Sequence, residues 1–187
     1  LDIPNLEKIH ASGSPFWLAG GYATPEKVKE AISYGAQGVQ VGSLFALANE
    51  SGFTKENRSS ILTSLADPTM RVLTDASASP TGFPFKVIQN NQTLSNDNLY
   101  KERTRICDLG YLRTMFQREK GGIGYRCPAE PLDNYEFKNG EVEQAQGSKC
   151  LCNALMADIG LGQIRPDGRT ELSLLTFGSD LDGPRAL

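Results

Sequence analysis

The first third of this chain shows a regular alternation of apolar runs and amphipathic stretches, and that alternation predicts its elements. Pro15-Phe16-Trp17-Leu18-Ala19 is a short apolar run closed by Gly20-Gly21, as a buried strand would be. Thr24-Pro25-Glu26 then reads as a helix start. It offers a hydroxyl N-cap, proline at the first helical position and an early acid facing the positive end of the dipole. Val28, Ala31 and Ile32 fall at i, i+3 and i+4 and predict one apolar face, with Gly35 placed to end the helix. Gly38-Val39-Gln40-Val41-Gly42-Ser43 reads as the next strand, buried on at least one face, and residues 44–49 begin another helix. Strand, crossover helix and strand make a βαβ unit, which implies two parallel strands.

The texture changes near Asp67-Pro68. Residues 67–104 are rich in Pro, Thr, Ser and Asn, with Arg71-Val72-Leu73-Thr74 as a strand candidate and residues 78–84 punctuated as a loop. Residues 105–187 mix aromatic, glycine and cysteine residues, and 151–159 predict a helix ended by Gly160 or Gly162. The expected organisation is a first part over 1–66 and an extension over 67–187.

Composition narrows the function classes. The 187 residues are 39% hydrophobic and 22% charged, which is the balance of a globular protein rather than a disordered one. No apolar run approaches the roughly 18–20 residues needed to span a bilayer, so no membrane partner is expected. The formal net charge of -3 provides no global basic field, so nucleic acid is not an expected partner either. The chain opens on Leu1 with no signal-peptide pattern, which favours a piece of a longer cytoplasmic protein with reduced thiols.

Two glycine sites, Gly20-Gly21 and Gly42-Ser43, follow the two predicted strands at corresponding places. Parallel neighbours put both at the C-terminal edge of the sheet, where ligands bind in α/β folds. Glycine lets the backbone approach an oxygen-rich ligand, successive N–H groups can point at an anion, and Ser43 adds a hydroxyl donor. A following helix would add its positive end. Taken alone, the same glycines would equally serve two tight turns.

The segments Phe16-Trp17-Leu18-Ala19-Gly20-Gly21-Tyr22-Ala23-Thr24 and Ala36-Gln37-Gly38-Val39-Gln40-Val41-Gly42-Ser43-Leu44-Phe45 resemble the last two strand–helix units of the nitronate monooxygenase (2-nitropropane dioxygenase) family, an FMN-dependent TIM barrel. Residues 79–87, 107–113, 124–128 and 150–155 are similar to a subgroup with a long cysteine-containing C-terminal extension. The resemblance implies an α/β fold: the C-terminal βα units of a TIM barrel plus an irregular α+β extension that packs on or caps it. It implies FMN as cofactor, with Gly20, Gly21, Gln40, Val41, Gly42 and Ser43 at the flavin phosphate, and a small-molecule nitronate as substrate. Serine at 43 replaces the commoner threonine and keeps the hydroxyl. The family's catalytic histidine stands in a Gly-Gly-His motif upstream of the matched segments. Nothing around the single histidine, His10, resembles that motif, so no catalytic residue is carried over. The missing N-terminal barrel portion is then an expected partner. An FMN-dependent enoyl-acyl-carrier-protein reductase is the alternative enzyme.

Cys107, Cys127, Cys150 and Cys152 lack the paired spacing of common zinc sites. They read either as buried reduced core residues or as thiols converging on a metal or iron–sulfur cluster in a non-catalytic binding module. Arg103, Arg105, Arg113, Arg118 and Lys120 alternate with acids and predict a solvated, charge-balanced face. Tyr125, Tyr135 and Phe137 predict core or strand positions, and Asp180 and Asp182 a loop.

Overall fold

The structure is a computed structural model that describes residues 4–187. In chain order the elements are α1 (Leu6–Ala11), β1 (Trp17–Ala19), α2 (Pro25–Ser33), β2 (Gly38–Gln40), α3 (Ser43–Ala46), α4 (Lys55–Leu65), β3 (Val72–Asp75) and β4 (Phe85–Ile88). There follow α5 (Asp97–Glu102), β5 (Thr114–Gln117), β6 (Ile123–Arg126), α6 (Leu132–Phe137), a 3-10 turn (Val142–Ala145), α7 (Leu151–Asp158) and α8 (Asp182–Arg185). The fold is mixed α/β. Its strands make three separate two-stranded sheets, with no closed barrel among the described residues.

The βαβ unit forms as its pattern predicts. β1 and β2 pair in parallel, Leu18 opposite Val39. The Thr24 hydroxyl accepts from the Lys27 amide at 3.3 Å, Pro25 opens α2, and Gly35 leaves it at φ +87°. Leu18, Ala31 and Ala36 form a small core with Phe16, Tyr22 and Val39 against it. Two expectations need correcting here. Ile32 is 49% exposed, so the apolar face of α2 is only partly used, and Val39 in β2 is only half-buried. A parallel pair is normally covered on both faces, and two strands with one crossover helix provide cover on one. The helix expected over 44–49 is a single turn, Ser43–Ala46.

Most of the core lies beyond residue 46. On β4, neighbouring side chains point to opposite faces. Val87 packs with Leu94, Tyr100, Leu151, Ala154 and Leu174, while Ile88 packs with Leu47, Ile61, Leu65, Leu175 and Phe177. The second cluster joins α4 and the end of α3 to the extension, so residues on both sides of position 66 share one core. Residues 174–177 run along β4 as a further extended segment: the Ile88 amide donates to Leu175 O at 2.9 Å, and Val87 bridges Thr176. Ile61 is fully buried. Ile61→Val should therefore cost about 0.5–1.5 kcal/mol in urea unfolding. No measurable loss would mean that α4 does not hold the two parts together.

Candidate functional site

The ends of β1 and β2 open on one cleft of about 420 Å³, whose lining includes all six residues that the resemblance assigns to a phosphate: Gly20, Gly21, Gln40, Val41, Gly42 and Ser43. Parallel pairing in register puts the two glycine turns side by side at the same edge. Gly20 and Gly21 take φ of +79° and +88°, a left-handed region that a side chain would strain. A Cβ at Gly42 would meet nothing within 4 Å, so the backbone there lines open space. Neither the Gly21 nor the Gly42 amide donates to another group among the described residues. Because α3 is one turn long, its dipole adds little to this edge.

The other wall comes from the extension. Lys86, Gly178, Ser179 and Asp180 complete the lining. Lys86 lies on β4 two positions from Ile88 and so shares its face, the one turned toward α3 and α4. The extended segment over 174–177 runs beside β4 and delivers residues 178–180 to the same place. Two contacts fix the wall. The Gly178 amide donates to Ser43 Oγ at 2.7 Å, and Lys86 Nζ donates to Ser179 Oγ at 2.8 Å. The remaining Lys86 protons and the Ser43 hydroxyl proton are available to a ligand oxygen. Asp180 lies over Gly21, with Oδ2 3.1 Å from the place a Cβ would occupy. The cleft therefore has a cationic, amide-lined end and a carboxylate end.

Sequence reading did not single out Lys86 or residues 178–180 as site residues. The acids at 180 and 182 read as a loop rather than as paired acids, and the proximity of Asp180 to Gly21 depends on pairing between β4 and a segment some ninety residues later in the chain. His10 sits exposed on α1 against Gly35, away from the cleft lining, as expected of an ordinary helix residue.

Other expectations change. Arg103 is not solvated: it forms a buried bidentate pair with Glu171, Nε–Oε1 at 2.5 Å and Nη2–Oε2 at 2.8 Å. Arg105 donates to the carbonyls of Pro128 and Ala145 at 3.0 and 3.1 Å. Only a fold that buries this stretch could reverse the reading of a charge-balanced surface. Tyr135 is buried and Tyr125 lies on β6, but Phe137 is 88% exposed at the end of α6. The four cysteines are free, and among the described residues no group of three or more His, Cys, Asp or Glu is set to hold a metal ion.

No helix among the described residues is long and apolar enough to cross a membrane. No protein-family model, curated protein or solved structure matches this chain.

Proposed function

We propose that the cleft between Gly20-Gly21 and Gly42-Ser43 takes the phosphate of FMN, and that the chain is the cofactor-anchoring part of a flavin-dependent oxidoreductase acting on alkyl nitronates with dioxygen. One observation carries this reading. Six residues chosen from the sequence for a phosphate line a single cleft, and the fold adds a lysine to it. FMN, when bound, supplies the redox chemistry. The phosphate would lie at the end formed by Gly42, Ser43 and Lys86, where a hydroxyl, an ammonium and a backbone amide can all donate. Asp180 would repel a phosphate at the Gly21 end and suits a hydroxyl donor, as on the ribityl chain. The matched segments carry no counterpart of the family's catalytic histidine. This chain by itself should therefore not turn over a nitronate.

The test is a titration with FMN and with riboflavin, which lacks the phosphate, followed by flavin fluorescence. FMN should bind more tightly, and Lys86→Ala should weaken FMN by about tenfold or more while leaving riboflavin little changed. Equal affinity for both flavins, or no saturable FMN binding up to about 1 mM, would refute the phosphate site.

A further inference from the structure

All four cysteines of the chain, from three separate segments, meet in one cluster. Cys127 and Cys150 are buried around Ala129, and the half-buried Cys107 and Cys152 pack against them. Tertiary contacts assemble it: Cys107 and Cys127 lie outside the regular elements, while Cys150 caps α7 and Cys152 lies in its first turn. Arg105, two residues before Cys107, donates to the carbonyl of Pro128, the residue after Cys127, at 3.0 Å. Cys150 Sγ lies 3.7 Å from the carbonyl oxygen of Ile106, the residue before Cys107. The loop carrying Cys107 is thus held between the Cys127 and Cys150 segments. No histidine belongs to the cluster, and the acids nearest in sequence are already engaged: Asp108, next to Cys107, by Asn153 and Arg165, each at 2.7 Å, and Glu130 by Lys138 Nζ at 2.6 Å and by the Cys127 amide. Among the described residues no three such groups are set for an ion, and neighbouring free thiols can react with one another.

The members of the cluster are not equivalent. Cys127 and Cys150 are shut away from solvent, and burial holds both thiols above their ordinary value, Cys127 at about 11. They stay protonated near neutrality and are poor first nucleophiles. Cys107 is half-exposed, and the exposed Arg113 reaches its peptide carbonyl at 3.0 Å. The Arg113 guanidinium is itself held above its ordinary value, chiefly by the neighbouring Cys107 side chain. Cys107 therefore combines access with an adjacent cation, the two features that distinguish a reactive cysteine from a structural one.

We propose that this cluster is a hydroperoxide-reactive modification site, in which Cys107 is oxidised first and Cys127 closes a disulfide with it. The Cys107 sulfur attacks the peroxide O–O bond. It takes up a hydroxyl group as a sulfenic acid, and the other oxygen leaves with the Cys107 thiol proton as water or an alcohol. The Cys127 sulfur then attacks the Cys107 sulfur, the S–S bond forms, and the hydroxyl leaves with the Cys127 proton as water. Two thiols are oxidised by one electron each and one peroxide is reduced. The bridge would fasten the loop before β5 to the segment after β6. The inference is independent of flavin binding.

The experiment uses the whole chain, reduced, desalted and treated with one equivalent of hydrogen peroxide near neutral pH. Thiol titration and peptide mass mapping should show two thiols lost and a Cys107–Cys127 bridge that dithiothreitol reverses. In Cys107→Ser, thiol loss should slow by about tenfold or more. In Cys127→Ser, a sulfenic acid on Cys107 should persist and be trapped by dimedone. The wild-type map decides the matter even if a variant fails to fold. A bridge between other cysteines, over-oxidation of Cys107 in the wild type without a bridge, or stoichiometric zinc or iron on the purified chain would overturn the proposal.

Discussion

Asp158→Asn is expected to stabilise the protein at about pH 8, by on the order of 1–3 kcal/mol, with little gain near pH 4. Asp158 closes α7 and is 2% exposed. Neither carboxyl oxygen completes a hydrogen bond among the described residues. Burial pushes its pKa up to about 7, against weaker opposing effects of the nearby Ser173 hydroxyl and Leu174 amide. The unfolded chain ionises this group near its ordinary value of 3.8, so between there and about pH 7 the folded state holds the extra proton. Stability from this group is therefore greatest at low pH and falls as pH rises through that window. Asparagine cannot ionise and removes the penalty, though its buried amide keeps part of the desolvation cost. Urea unfolding of both proteins at the two pH values measures the difference. A uniform change, the same at both, would show that Asp158 is neutralised by no such shift.

Glu171→Gln should have the opposite sign and a larger effect, a loss of about 3–5 kcal/mol at neutral pH. Glu171 accepts both hydrogen bonds of Arg103 and a further one from Arg165. Arg165 in turn reaches Asp108 at 2.7 Å, and Asn153 donates to the same Asp108 carboxylate at 2.7 Å. Glu171 is only 8% exposed, and Arg103 Nη1 is already buried without a partner. Glutamine would leave the Arg103 charge buried with no counter-ion, and that orphaned charge is the source of the cost. Burial alone would raise the Glu171 pKa. The hydrogen bonds from Arg103 and then Arg165 outweigh it and hold the group below its ordinary value of 4.5. A depressed acid stabilises the fold above that value, and the contribution is lost as pH falls through the lower folded-state pKa. Asp158 and Glu171 thus pull in opposite directions, and together they favour an optimum on the mildly acidic side. A loss below about 1 kcal/mol in Glu171→Gln would mean that water reaches the pair and screens it.

Local signals determined the first part of this protein. The cap at Thr24, the proline at 25 and the glycine at 35 act within a few residues of one another, so α2 begins and ends where the sequence places it. The βαβ connection made the parallel pair legible, and with it the meeting of Gly20-Gly21 with Gly42-Ser43 at one edge. A helix over 151–159 ended by Gly160 or Gly162 was also legible; it runs Leu151–Asp158, and Gly160 is the glycine that takes a left-handed φ of +78°. Tertiary structure decided what depends on distant partners. Lys86 enters the cleft only because β4 presents one face to α3 and α4, and Asp180 enters because residues 174–177 run beside β4. Arg103 looked like a surface charge until the fold supplied Glu171 from sixty-eight residues away. The cysteines lacked the paired spacing of a metal site and became one cluster only when two loops and the start of α7 were brought together. Capping and turn chemistry cost and return their energy within a single turn of chain, so composition at short range can encode them. Burial, counter-ions and the convergence of loops are set by the whole packed arrangement, which short-range pattern does not specify.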